Sequence, residues 1–172
     1  MRRLFAPIAL ALTLSACGLH PLYAGGGSGS VAGALRGVEV PPIQGKAGWL
    51  VGNALRDRLA AQGAARYRLD VRLDDSIAGL GVRLDDSISR ERRTLRARYQ
   101  LVDLTSGKTV VDATAGSDAG IDVTQSEYAT LAAESTALER LSGTIADKIV
   151  ARIALYARAP APAPAPAAAP PP

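Results

Sequence analysis

The sequence predicts an α+β domain in which two helices pack on one face of a four-stranded mixed, largely antiparallel sheet, in the order β-α-β-β-β-α. Three observations carry this expectation. Residues 67–73 and 95–101 alternate apolar and polar with a period of two, the mark of half-buried strands. Two longer stretches, 49–62 and 127 to about 156, carry apolar residues at helical spacing. The later strands are joined by short turns, which makes them an antiparallel meander. Each helix has one apolar face and the strands share one. The lowest-cost burial therefore puts both helices on the same side and leaves the other side of the sheet polar.

Taken in order, residues 35–40 alternate loosely and stop at Pro41-Pro42, as a short strand does where prolines cannot donate to a ladder. In the first helix, residues 49–62, Leu50, Ala54, Leu55 and Leu59 share a face, Trp49 is expected to pack at the entry, and Gly63 fits a C′ position. Tyr67, Leu69, Val71 and Leu73 then point one way, with Arg66, Arg68, Asp70 and Arg72 between them. Gly79-Leu80-Gly81 is expected to turn the chain. In the strand after it, Val82, Leu84 and Ile88 are even-numbered, whereas Leu95, Ala97, Tyr99 and Leu101 are odd, so a bulge or bend is expected between Ser89 and Arg93. A hairpin at residues 104–108 leads into a last strand over 109–115, and 116–122 reads as loop. Thr124 and Glu127 fit a capping box, with Val123 and Tyr128 as its hydrophobic staple. The helix that follows carries Leu131, Leu138, Ile145, Ile149 and Ile153 as a stripe, with Leu141 beside it. Its single Gly143 weakens it by about 1 kcal/mol relative to alanine.

The two ends read differently. Residues 1–16 combine a basic head, Arg2-Arg3, with an apolar run and small residues, the pattern of an export signal. Leu14-Ser15-Ala16-Cys17 resembles the bacterial lipobox. The resemblance implies a diacylglycerol on the Cys17 thiol, cleavage before Cys17 and an N-acyl chain on the new amine, with no other cofactor. Gly18, where enteric lipoproteins retained in the inner membrane carry aspartate, fits the outer membrane. Residues 17–33 form a lipidated start and a Gly/Ser tether, 34–158 the domain, and 159–172 an Ala/Pro tail of polyproline character. The formal charge of +4 falls to +2 once Arg2 and Arg3 leave with the signal, too little to argue for nucleic acid.

Catalytic chemistry is not expected. The single histidine, His20, sits beside the anchor, and no Gly-x-Ser-x-Gly, phosphate loop or metal-ligand cluster occurs. The heptapeptide of residues 71–77 recurs verbatim at 82–88, and its paired aspartates lack the glycine and glutamate offsets of a calcium loop. Arginine stands out instead. Arg68, Arg72, Arg96 and Arg98 fall on the outward strand phase, with Arg90, Arg92 and Arg93 at the expected bend. Guanidinium groups grip phosphates in a planar fork. The same arginines also suit cross-strand partnership with Asp70, Asp74 and Glu91.

Residues 17–23, Cys-Gly-Leu-His-Pro-Leu-Tyr, are similar to the start of the LptE family of lipopolysaccharide-assembly lipoproteins in its alphaproteobacterial form. The similarity continues through residues 67–71, 89–90, 99–103, 128–130, 133–134 and 145–149 and covers nearly all the domain. This resemblance implies two helices on a four-stranded mixed sheet. It also implies a non-enzymatic outer-membrane lipoprotein on the periplasmic face. Such a protein assists assembly of the LptD barrel, plugs it and binds lipopolysaccharide. Rival readings are an auxiliary lipoprotein of a periplasmic lipid transporter and a structural envelope lipoprotein. Arg68, Arg72, Arg96 and Arg98 are the candidate contacts to lipopolysaccharide or barrel, on strand phase alone.

Overall fold

The chain is seen in a computed structural model that describes residues 33–159 apart from 34, 60, 62 and 83–87, with residues 81, 82 and 88 as backbone only. Six elements follow in order: β1 (Val38–Glu39), α1 (Gly45–Leu59), β2 (Tyr67–Val82), β3 (Ile88–Asp103), β4 (Thr109–Asp122) and α2 (Glu127–Arg158). The sheet order is β1-β2-β3-β4, with β1 parallel to β2 and the other neighbours antiparallel. This is the predicted β-α-β-β-β-α architecture, with both helices on one side.

Side-chain alternation positions everything else. On β2, β3 and β4 the odd-numbered residues face the helices. Leu69, Leu95, Ala97 and Leu101 are fully buried, and Tyr67, Tyr99, Val111, Ala115 and Ile121 nearly so. From above, α2 supplies Leu138, Leu141, Ile145, Ile149 and Ile153, and α1 supplies Val51, Leu55 and Leu59. Gly48 lets α1 close on the segment before it. A Cβ there would lie 2.5 Å from the carbonyl oxygen of Ile43. At the far end of the core Tyr156 meets Tyr67 edge to face, with ring centroids 6.4 Å apart.

Several boundaries differ from the sequence expectation. β1 keeps only two residues, because Leu35 and Arg36 are helical. α1 starts at Gly45 and ends at Leu59, four residues before Gly63, which does hold a positive φ of 82°. Trp49 is 63% exposed and stands in the second turn of α1, not at its entry. β2 runs straight through Gly79-Leu80-Gly81, and the reversal lies between Val82 and Ile88. Val82 therefore belongs to β2 and Leu84 lies outside the described residues, so of the even-numbered set only Ile88 stands in β3, at its first position. Pairing of β2 with β3 is continuous from Leu80↔Arg90 to Tyr67↔Asp103, and Val82↔Ile88 lies beyond it in the same register. The register shift instead falls between Leu101 and Val102, against β4. The first copy of the duplicated heptapeptide lies along β2. The second begins at Val82 and runs into 83–87, outside the described residues. β4 extends to Asp122 because the long arm of β3 offers residues 116–122 a ladder, Gly116↔Arg96 through Asp122↔Arg90.

The hairpin between β3 and β4 is held by Asp103, whose Oδ1 accepts from the backbone N–H of Thr105 at 2.8 Å and of Ser106 at 3.0 Å. Those backbone donors hold its carboxyl below the usual carboxylate range, the Ser106 N–H most of all. Gly107 takes the left-handed conformation the turn needs, φ 68°.

The α2 N-cap is Ser126, whose hydroxyl accepts from the N–H of Ala129 at 3.4 Å. Thr124 instead donates its hydroxyl to the Ser126 carbonyl at 3.1 Å, so the Thr124/Glu127 box does not form, and Tyr128, 84% exposed, staples nothing. Inside α2, a Cβ on Gly143 would meet the nearest atom outside its own helix, the Arg58 Nη2, at 3.7 Å, an ordinary contact. Gly143→Ala should therefore stabilise the domain by about 0.5–1 kcal/mol. Chemical denaturation checks this, and a loss of stability would mean that Arg58 cannot give way.

Candidate functional site

The polar side of the sheet is made by the even-numbered residues of β2, β3 and β4, and no described helix covers it. Arg68 and Arg72 stand there on β2, and Arg96 and Arg98 on β3. All four sequence-predicted arginines thus lie on one open face. The register refines the picture. Arg72 is directly opposite Arg98, Asp74 opposite Arg96, and Arg68 opposite Val102. Neighbouring strands lie roughly 4.8 Å apart, so Arg72, Arg96 and Arg98 form a cluster of like charge.

Their partners divide them. Arg68 is forked onto Asp70, two residues along its own strand, at 3.1 Å. Arg98 donates to Asp112 on β4 at 3.1 Å, and Gln100 donates to the same carboxylate oxygen at 2.9 Å. The Gln100 amide first, and the Arg98 guanidinium next, hold Asp112 below the ordinary carboxylate range. Arg90, farther along the face, pairs with Asp122 at 3.0 Å. Arg72 and Arg96 make no ion pair among the described residues. Two guanidinium groups are thus left for an external anion, and Arg98 is shared between Asp112 and that position. A trough of about 600 Å³ opens beside Arg72 and Arg98, walled by Pro41, Pro42 and Ile43 on one side and by Asp70 and Gln100 on the sheet.

Arg93 behaves differently from its sequence reading. Odd-numbered like Leu95, it points under the helices rather than outward. Its Nε and Nη2 grip both oxygens of Asp75, at 2.9 and 2.6 Å, and Nη1 donates to the Glu134 carbonyl of α2 at 3.2 Å. The Asp75 hydrogen bond is the main reason its guanidinium is held more firmly charged than usual. Phase alone signals this, because Arg93 continues the same odd series as Leu95 and Ala97. A second, shallower groove lies where Lys46 and Arg93 meet the exposed Tyr128 and Leu131 of α2.

Among the described residues, no group of three His, Cys, Asp or Glu side chains is placed to hold a metal ion, and no helix is long and apolar enough to cross a membrane. Cys17 and His20 lie outside the described residues.

A family model for LptE, described as lipopolysaccharide-assembly, matches residues 35–153, from just before β1 to the last turns of α2. Solved lipoproteins share the fold. One from Caulobacter crescentus is 22% identical with a TM-score of 0.62, covering 75% of this chain and 98% of its own. The rare lipoprotein B of Shewanella oneidensis is 11% identical with a TM-score of 0.56, covering 69% and 92%. A minor lipoprotein of Acinetobacter baumannii is 15% identical with a TM-score of 0.53, covering 69% and 88%. No curated protein matches the chain.

Proposed function

We propose, since the chain belongs to the LptE family of lipopolysaccharide-assembly proteins, that it helps the LptD barrel assemble, plugs it, and binds lipopolysaccharide on its way to the outer leaflet. As a member of this family it is an assembly factor and not an enzyme. On this reading Cys17 carries the acyl chains, and the domain works as a lipid-anchored protein at the periplasmic face of the outer membrane. Two or more acyl chains make such an anchor lasting, because each buried methylene contributes about 0.8 kcal/mol.

The observation that supports the ligand class is the open sheet face. Arg72 and Arg96 have no carboxylate partner among the described residues, while Arg68 and Arg98 are already engaged. The phosphates of a glycolipid headgroup offer pairs of oxygens that the planar guanidinium fork can grip together. The four arginines then contribute unequally. Arg72→Ala and Arg96→Ala should each weaken lipopolysaccharide binding by roughly ten-fold or more, since hydrogen bonds to charged groups contribute ~1.5–3 kcal/mol. Arg68→Ala should weaken it little, because Arg68 must first leave Asp70. Titration of the purified protein with lipopolysaccharide measures the ranking, and unchanged binding when all four become alanine would remove these arginines from the site. Gentle detergent extraction and affinity capture test the partner. Recovery of a barrel of LptD type supports the proposal, and recovery of inner-membrane transporter parts would replace it with the auxiliary-transporter reading.

A further inference from the structure

The two outer edges of the sheet are treated differently. On β4, Lys148 of α2 reaches the carbonyl of Gly116 at 2.5 Å and closes the edge at its midpoint. On β2, β1 pairs only with Tyr67 and Arg68, and the chain then leaves through Pro41-Pro42, which have no N–H to continue a ladder. From Leu69 onward no described strand pairs with the outer side of β2. A long unpaired edge is a template for another strand unless it is blocked.

The direction of the backbone groups along this edge follows from two hydrogen bonds. Leu104 N–H donates to the Arg66 carbonyl across the β3 side, and Tyr67 N–H donates to the Gly37 carbonyl on the β1 side, both at 2.9 Å. Even residues of β2 therefore turn their N–H and C=O toward β3. Odd residues (Leu69, Val71 and Leu73) turn theirs outward.

The side chains along the same edge are their own complement. Residues 68–74 read Arg-Leu-Asp-Val-Arg-Leu-Asp. Laid antiparallel on a second copy with Val71 facing Val71, Leu69 meets Leu73, and Asp70 meets Arg72 on both sides of the centre. Arg68 comes opposite Asp74. The outward-pointing odd residues become the hydrogen-bonded pairs, each exchanging both N–H···O bonds. The even residues become the closer, non-hydrogen-bonded pairs, where opposite charges interact best.

We propose that two copies of this chain join edge to edge through β2, antiparallel, about a two-fold axis at Val71. The pairing runs from Leu69 to Leu73 and stops where β1 already occupies the edge. It sets Arg72, which has no ion-pair partner within its own chain among the described residues, across from the partner's Asp70, whose carboxylate Arg68 of that same copy already engages, so Arg72 keeps N–H donors for an anion on the open face. It also completes the cover over Val71 and Leu73, which are only half-buried at the margin of the core. The trough beside β2 at residues 69–72, walled on its far side by Pro41, Pro42 and Ile43, is the space the second strand enters. Because opposite residues in a sheet share a face, both helix layers lie on one side and both arginine faces on the other, forming one continuous surface. The seam is short and belongs to the weak end of specific interfaces, so association is concentration-dependent.

The test needs no lipid ligand, so its failure leaves the lipopolysaccharide reading untouched. The full chain carrying Cys17→Ser, in detergent, is followed by sedimentation equilibrium up to its solubility limit. A monomer–dimer equilibrium is expected. Asp70→Arg and Arg72→Asp each place like charges across the axis, and each should weaken dimerisation at least ten-fold. The double variant Asp70→Arg/Arg72→Asp restores the complement and should restore the dimer. In the Cys17→Ser background, Val71→Cys should form a disulfide-linked dimer on mild oxidation. Leu73→Cys should not, because it faces the partner's Leu69. A chain that stays monomeric at every concentration overturns the proposal. So does a dimer indifferent to the charge swaps, or one that cross-links at 73 and not at 71.

Discussion

Ile149→Ala lowers the stability of the domain by about 2–5 kcal/mol, the cost of removing buried carbon and leaving a cavity that close-packed neighbours fill only in part. Ile149 is completely buried on α2, one turn from Ile145 and one from Ile153, on the helix that covers β3 and β4. For a domain of this length the loss corresponds to a fall in Tm of roughly 10 °C. The informative control is Leu131→Ala on the same helix. Sequence periodicity alone puts Leu131 in the buried stripe, whereas in the fold it is 55% exposed beyond the end of α1. Its replacement should change stability by no more than about 0.5 kcal/mol. Chemical denaturation of both variants decides the matter. Equal losses would mean that α2 packs along its whole length, and equal tolerance would mean that the helix layer is not where the core lies.

Leu131 and Arg93 show where periodicity stopped being informative. Within the core, composition and phase agree: Leu69, Leu95, Ala97, Tyr99 and Leu101 are apolar and all point inward, so strand order and buried face were legible. Beyond Asp75 and Arg93 the phase continues but the residues turn charged. Polarity alone then reads as a bend, or as loop along residues 116–122. Strand pairing decides otherwise, because β3 brings a partner to every residue of β4 from Val111 to Asp122. Trp49 fails for the opposite reason: a large apolar residue expected to pack at the helix entry stands instead in the second turn of α1 and is mostly exposed. The open-face placement of Arg68, Arg72, Arg96 and Arg98 follows from alternation. Which of them are spent does not, because Asp112 reaches Arg98 only through the register between β3 and β4. The cap is a similar case. Thr124 and Ser126 are both competent N-cap residues, and the structure uses Ser126 because the helix begins at Glu127, directly after it.

Arg93→Met should cost about 2 kcal/mol, below the range for breaking a fully buried ion pair. The Arg93 and Asp75 side chains are 13% and 24% exposed, so water reaches them only in part, and the carboxylate of Asp75 would lose both of its charged donors at once. Most of that cost is the penalty on the abandoned partner, and not the worth of the pair. The double variant Arg93→Met/Asp75→Leu should therefore recover most of the stability, since apolar side chains of similar size fill the space without an unpaired charge. The double-mutant cycle then gives a coupling energy well above that of an exposed pair. Arg98 and Asp112, 68% and 41% exposed, supply the comparison, and breaking them should cost far less, because solvent screens the pair. The two pairs look alike in sequence, an arginine on β3 and an aspartate on a neighbouring strand. They differ only in which side of the sheet they occupy. A coupling at Arg93 and Asp75 as small as that at Arg98 and Asp112 would mean that the helices do not close over the end of the sheet. The contact from Arg93 to the Glu134 carbonyl, which ties β3 to α2, would then have no energetic role.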